Sequence, residues 1–211
     1  MPVSIHINNL SKKFVNEWIF KDVTLTISPA EKLVILGANG SGKSTLLQSI
    51  ASFLIPTKGE VVWKNNNQII EDDTIYRHLS MASPYMELIE DFTLTETINH
   101  QKQFKPFIHN FSAEDIIKQM QLEHTADKYI KNYSSGMKQR VKLGLAIMAD
   151  CPVLLLDEPC SNLDASAIAW YQNMITEFAQ QKTVLVCSNT VKDEYIFCTG
   201  KIEIEKYKVQ K

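Results

Sequence analysis

Apolar and polar residues alternate along the opening stretches of the chain. Val3, Ile5 and Ile7 in VSIHIN, and Val23, Leu25 and Ile27 in VTLTI, recur with a period of two, which predicts half-buried antiparallel strands. KLVIL, Lys32 to Leu36, is instead continuously apolar after its first residue, as a strand covered on both faces must be. A helix is expected from about Ser44 to Phe53, then a turn at PTKG (Pro56 to Gly59) and a strand at EVVW. From about Tyr85 to Asp127 the apolar period becomes helical. TLTETINHQKQF and SAEDIIKQMQL each open on a hydroxyl residue with an acid three positions later, a helix-start signature. PVLLLDEP restores the strand pattern. A helix from about Asp164 to Gln181, a strand TVLVCSN, and a hairpin in which Thr199 and Gly200 turn YIFC into KIEIEKYKV complete the reading. With no repeats and no low-complexity segment, the pattern implies one α/β core with an antiparallel edge and a helical insertion.

One helix is unusual. YSSGMKQRVKLGLAIMAD, Tyr133 to Asp150, feeds two serines and a glycine into a helix with a buried stripe at Met137, Val141, Gly144 or Leu145, and Met148. Lys138, Gln139, Arg140 and Lys142 crowd the other face of its first turns. Helix starts carry partial positive charge and usually attract acids. Adding three cations to one predicts a place that meets an external anion.

Composition narrows the function classes. At 45% hydrophobic and 22% charged the 211 residues suit an ordinary core-forming domain, and with a net charge of -2 and no run of more than two Lys or Arg there is no basic footprint for nucleic acid. Cys151, Cys160, Cys187 and Cys198 lack C-x-x-C spacing and lie mostly in or beside apolar runs, so they are expected as free thiols in a reducing, intracellular setting. No apolar stretch reaches the ~20 residues of a membrane span, and MPVSIHINNLSKKF lacks the apolar core of a signal peptide. Any membrane part is expected from another chain.

The chemistry concentrates in two stretches. GANGSGKST, Gly37 to Thr45, matches G-x-x-x-x-G-K-[ST] at Gly37, Gly42, Lys43 and Ser44, between a buried strand and a helix where that motif belongs. Its backbone N–H groups, from Asn39, Gly40 and Ser41 onward to Thr45, are suited to cradle phosphates, with Lys43 reaching the β- and γ-phosphates and Ser44 a magnesium ion. VLLLDEP places Asp157 and Glu158 at a strand tip, outside the carboxyl end of the sheet. There Asp157 can hold Mg²⁺ through water, and Glu158 is the candidate general base for an attacking water.

With these residues in place, the chain resembles the ATP-binding-cassette family. YSSGM stands for the signature LSGGQ, with Ser134 and Gly136 kept, and SNLD, Ser161 to Asp164, stands at the D-loop position. The resemblance covers the whole chain. It implies a P-loop nucleoside triphosphatase fold with a mainly parallel sheet, residues 1–84 and 150–211 forming the core with its antiparallel part and about 85–149 a helical subdomain. It also implies ATP and Mg²⁺ as ligands and a homodimer in which the signature of one copy closes over the nucleotide on the P-loop of the other, so the anion awaited at Ser134 is the partner's γ-phosphate. Phe14, in SKKFV, falls at the place of the aromatic residue that stacks adenine, with Trp18 the next candidate.

Two positions depart from the family pattern. Where members carry a glutamine that touches Mg²⁺, no glutamine occurs between Gln68 and Gln101, and Ser83 is the nominated replacement. Where members carry a histidine facing the γ-phosphate, TVLVCSN supplies Asn189, and the five histidines, at 6, 78, 100, 109 and 124, read as surface or satisfied residues.

The function implied is the cytoplasmic ATPase subunit of a transporter, peripheral on the inner face of the cell membrane and docked on a separate multi-span permease. The compact single cassette and its YSSGMKQR signature resemble exporters of the ABC-2 and haem-export types. PYMELIEDF offers Tyr85, Met86, Leu88, Ile89 and Phe92 as a docking face. The competing readings are a degenerate cassette that binds ATP as a regulatory module, motivated by Ser83 and Asn189, and a soluble cassette ATPase outside transport.

Overall fold

The computed structural model describes residues 2–209, so positions 1, 210 and 211 of the expected domain lie outside the described residues. Two sheets organise them. β1 (Val3–Phe14), β2 (Glu17–Ile27), β4 (Lys58–Asn65) and β5 (Gln68–Ile69) form an antiparallel sheet in the order β2-β1-β4-β5. β3 (Lys32–Leu36), β6 (Leu79–Ala82), β7 (Val153–Asp157), β8 (Thr183–Ser188) and β9 (Gly200–Glu203) form a parallel sheet in the order β6-β7-β8-β3-β9.

The period of two decides which core each strand residue enters. Leu33, Ile35, Val153, Leu155, Leu185 and Cys187 face the antiparallel sheet and helix α1 (Lys43–Ile50), joining Ile5, Ile7, Phe20, Trp63, Leu46 and Leu47. Val34, Leu154, Leu156, Val184 and Val186 point the other way, into a second core with the helices α2 (Leu94–Phe104), α3 (Ala113–Met120), α4 (Ser135–Met148) and α5 (Ala165–Phe178). Being buried on both faces is why these strands read as unbroken apolar runs. Trp63, fully buried, ties the two layers by donating its indole N–H to the Ile50 carbonyl at 2.9 Å.

Both predicted helix starts are capping boxes. Thr93 Oγ1 accepts from Glu96 N–H while Glu96 accepts from Thr93 N–H, and Ser112 and Asp115 repeat the exchange. The donated bonds hold the Glu96 and Asp115 carboxyls below their usual range, the main-chain N–H being the larger cause in each. Lys182, buried at the far end of the sheet, donates to the Ile147 and Ala149 carbonyls and so caps the C-terminus of α4.

The expected C-terminal hairpin does not form. Residues 195–198 are held in turns, with Tyr195 N–H donating to the Lys192 carbonyl and Cys198 N–H to that of Tyr195, and Thr199 N–H turns to the Lys32 carbonyl. β9 then runs parallel to β3, pairing Leu33 with Gly200 and Ile35 with Ile202, and Ile204–Tyr207 closes as a 3₁₀ turn. The alternation in KIEIE was a true strand signal, but its partner is the open edge of β3 rather than the preceding residues. Among the described residues no helix is long and apolar enough to cross a membrane. The four cysteines are free, and burial pushes the Cys187 thiol well above its ordinary pKa.

Candidate nucleotide site

β3 ends at Leu36 and α1 begins at Lys43, and the six residues between them bend back over the strand end. Gly42, at φ 103°, occupies the cap position of α1 in a left-handed conformation. A Cβ there would stand 2.4 Å from Ile19 Cγ2, so both the angle and the space demand glycine. Lys43 is buried, and its ammonium donates to the Gly37 carbonyl at 2.9 Å and the Ala38 carbonyl at 3.1 Å. Glu205, from the turn after β9, accepts from Ala38 N–H at 2.9 Å.

β7 delivers the acids to the same place. A cleft of about 330 Å³ is lined by residues 39–45 together with Ile19, Pro84, Tyr85, Asp157 and Glu158. Burial pushes the Asp157 carboxyl above its usual range, opposed by a hydrogen bond from Ser44, raised further by Glu158 and opposed again by Lys43. Glu158 has a left-handed backbone, φ 45°, held by its N–H to the Cys187 carbonyl at 3.0 Å. β8 brings Asn189 to the rim, where its amide donates to Asn39 Oδ1 at 3.2 Å.

Two buried oxygens here have no hydrogen-bond partner: Ser41 Oγ and Asp157 Oδ2. Buried polar atoms are normally satisfied, and orphans beside a glycine-rich turn at a helix start and a lysine call for a bound anion and its counter-ion. Ser44 and Asp157 supply the hard oxygen donors that Mg²⁺ takes. The residues present therefore fit a magnesium-nucleotide.

Next to this cleft lies a larger space of about 950 Å³ between residues 14–19, Gly40 and Ser41, and Lys208 and Val209. Phe14, 46% exposed, and Trp18 both line it. Lys12 stands 5.0 Å from the Phe14 ring centroid, whereas Trp18 already has Lys21 at 4.4 Å and Lys13 at 5.5 Å.

Other nominated residues are placed elsewhere or otherwise. Ser83 is buried, with its hydroxyl accepting from Tyr85 N–H at 3.4 Å, and Pro84 and Tyr85 line the cleft in its stead. Ser134 caps α4 by accepting from Met137 N–H at 3.2 Å. Ser134 and Gly136 line a separate cavity of about 440 Å³ that shares no lining residue with the P-loop cleft. A Cβ on Gly136 would press to 3.0 Å on the Asn162 carbonyl, so the signature turn lies close against the loop after β7.

The cations of α4 each have a partner within the chain, and Arg140 also lines the signature cavity. Lys138 pairs with Glu90, Arg140 donates to Gln121 Oε1 at 3.1 Å and stacks on Trp170, and Lys142 donates to the Pro84 carbonyl at 3.1 Å. Gln139, expected on the open face, is 4% exposed and donates to the Pro159 carbonyl. What α4 offers an anion is its first turn, free of acidic side chains and headed by Ser134 to Gly136, with Arg140 lining the same cavity.

None of the five histidines lines the P-loop cleft. His6 lies between the Ser4 and Thr26 hydroxyls, His100 packs on Phe92 and Phe104, and His109 packs on Phe111. Burial, then Arg77, lowers the His78 pKa, and His124 lines the signature cavity. The sequence reading passed over Glu194 and Glu205, single polar residues whose partners include Cys160 and Ala38, 34 and 167 positions away. No local pattern marks them.

Residues 20–161 match the protein-family model described as ABC transporter. The chain is 32% identical over 171 residues to the sulfate/thiosulfate import ATP-binding protein CysA of Nitrosomonas europaea, an alignment covering 77% of this chain and 47% of that protein. It thus spans about half the length of that relative. Over 201 residues it is 24% identical to the uncharacterized ABC transporter ATP-binding protein YybJ of Bacillus subtilis, covering 95% and 92% of the two chains. The dimeric structure of MJ0796, a bacterial ABC transporter cassette, superposes with a TM-score of 0.80 at 25% identity, over 98% of this chain and 97% of that one. A P-loop with two orphaned oxygens, an acid pair at the tip of β7 and a serine-capped helix in a separate cavity thus lie within a fold and a sequence match of one kind, and the chain belongs to the ABC transporter family as an ATP-binding cassette.

Proposed function

We propose that two copies of this cassette close head to tail around two molecules of ATP, hydrolyse them, and drive a separate multi-span membrane protein from the inner face of the cell membrane. One observation carries the reading: the P-loop cleft and the signature cavity are both formed but do not meet within one chain. A two-fold partner supplies each with the other. The dimeric relative supports that arrangement. The regulatory-module reading loses ground because Lys43, Ser44, Asp157 and Glu158 all stand in or beside the cleft. Export, expected from the signature, finds no support in CysA, whose name states import.

The chemistry follows from the residues. Phosphates settle on the N–H groups of residues 40–45, and Lys43 exchanges its carbonyl contacts for phosphate oxygens. Phe14, less covered by cations than Trp18, stacks the base. Ser44 and Asp157 would hold Mg²⁺, which when bound neutralises phosphate charge. Glu158 takes a proton from the water that attacks the γ-phosphorus as the bond to the bridging oxygen breaks and ADP leaves. Asn189 turns its amide from Asn39 to the γ-phosphate, and Ser134 and Gly136 of the partner subunit close the far side.

An asparagine donates a hydrogen bond but adds no positive charge as charge develops in the transition state. Turnover of the purified chain is therefore expected to be slow and Mg²⁺-dependent. Asn189→Ala should lower kcat, by up to ~10²-fold, more than it raises KM, because only contacts stronger in the transition state accelerate the step. Phosphate release under saturating and limiting ATP measures both, and an unchanged kcat would remove Asn189 from the site.

The docking face is an apolar groove of about 410 Å³ whose lining includes Met86, Leu88, Ile89, Phe92, Phe53 and Phe104. Met86 and Ile89 are each nearly half exposed and Phe104 is 72% exposed, more apolar surface than a solvated loop needs. Met86→Glu with Ile89→Glu should shift the chain from the membrane fraction of its own cells to the soluble fraction while the isolated chain keeps its ATP turnover. Tyr85 is left untouched because it lines the nucleotide cleft. Unaltered fractionation would refute this face as the docking surface.

A further inference from the structure

Glu194 ends a short 3₁₀ turn, Lys192–Glu194, just after β8, and is 3% exposed. Its carboxylate touches two loops. Oε2 accepts from the Ser188 hydroxyl in a very short contact, and Oε1 accepts from Cys160 N–H at 3.3 Å. Ser188 immediately precedes Asn189, and Cys160 stands two residues after Glu158. The turn itself is anchored from behind, since Tyr171 of α5, fully buried, donates its hydroxyl to the Glu194 carbonyl at 2.8 Å. Two further bonds complete a frame around the Glu158 loop: Glu158 N–H to the Cys187 carbonyl, and Gln139 to the Pro159 carbonyl at 2.9 Å.

From this geometry we infer that Glu194 is a positioning residue for ATP hydrolysis: it clasps the loop carrying Glu158 to the loop carrying Asn189 and fixes their separation across the γ-phosphate. The inference rests on the hydrolytic reading above. A left-handed residue such as Glu158 has neighbouring conformations of lower energy, so its side chain stays aimed only while the surrounding bonds over-determine the backbone. Among the described residues Glu194 is the side chain that bonds both the Glu158 loop, at Cys160 N–H, and the β8 tip, at Ser188. An acid buried here is costly. Desolvation raises its pKa, and Glu158 and Asp157 raise it further against the lowering donors Ser188 and Cys160. Two neutral donors at fixed places are nonetheless what a carboxylate, or an amide of the same shape, can join.

The test is steady-state Mg-ATP hydrolysis by the purified full chain and its Glu194→Ala, Glu194→Gln and Ser188→Ala variants, each assayed below its melting transition. Misplacement of reacting groups by about 1 Å costs ~10²-fold, so Glu194→Ala should lose kcat on that scale with KM for ATP changed by less than roughly three-fold. Glutamine can accept from Cys160 and donate to Ser188 Oγ, so Glu194→Gln should recover most of the lost kcat. Ser188→Ala, which severs one arm and removes only a hydroxyl, should fall between, and it carries the test if Glu194→Ala fails to fold. Wild-type kcat in Glu194→Ala or Ser188→Ala, or a Glu194→Gln no better than alanine, would overturn the inference and leave the hydrolytic reading standing. A wild-type chain that hydrolyses no faster than Lys43→Ala would overturn both.

Discussion

Glu158→Gln should lower Mg-ATP turnover by ~10²–10⁴-fold, the usual contribution of a positioned general base, while nucleotide affinity stays near wild type. The substitution keeps the shape of the side chain. It also leaves the main-chain bond from residue 158 to the Cys187 carbonyl, which holds the left-handed backbone. Only the capacity to take a proton from water is removed. Because the closed dimer is proposed to open after hydrolysis, saturating Mg-ATP should then accumulate a two-fold dimer in size-exclusion chromatography with light scattering. A variant that binds ATP and elutes only as monomer would sink the head-to-tail sandwich. A variant with unimpaired turnover would show that the base is another group.

Lys43→Ala should weaken ATP binding by ~10–100-fold. A hydrogen bond to a charged group is worth about 1.5–3 kcal/mol, and about 1.4 kcal/mol is a factor of ten in affinity. Lys43 is well placed to deliver it, being 4% exposed and the one cation among the described residues lining a cleft whose other donors are neutral. The same ammonium clasps the Gly37 and Ala38 carbonyls, so the variant should also melt at a lower temperature without nucleotide. Titration calorimetry at a temperature where both proteins are folded separates the two effects. Unchanged affinity would show that the glycine-rich turn is not the phosphate site.

The proposed phosphate site could be nominated from sequence because its chemistry is local. Gly37 to Thr45 is one loop with fixed spacing, the acids sit at the end of an unbroken apolar run, and the Thr93 and Ser112 caps span three residues each. Illegible parts depend on which distant residue arrives beside which. Lys138, Arg140 and Lys142 read as one cluster on the helix face, whereas the structure gives them separate partners in Glu90, Gln121 and the Pro84 carbonyl and leaves Arg140 alone of the three on the signature cavity. Gln139 looked solvated and proved a buried donor to Pro159. The strand after Gly200 was recognised by its alternation but given the wrong partner, since periodicity fixes the faces of a strand and says nothing about its edges. Ser83 was nominated by alignment to a family position, whereas the backbone turns so that Pro84 and Tyr85 line the cleft. Glu194 carries no signal in one sequence, because its role lies wholly in Ser188 and Cys160 meeting it from two sides.

The strand order also sets a timetable for biosynthesis. β3, which launches the phosphate loop, is flanked by β8 and β9, with Lys32 opposite Val184 and Leu33 opposite Gly200. A chain leaving the ribosome N-terminus first therefore exposes that apolar strand, unpaired on both edges, until residues 183–203 have been made. The antiparallel sheet is the exception, since β1, β2 and β4 pair within the first 65 residues and can fold early. Nucleotide can be gripped only after β9 has been made, and ATP binding to nascent chains of increasing length should switch on once β9 has cleared the exit tunnel.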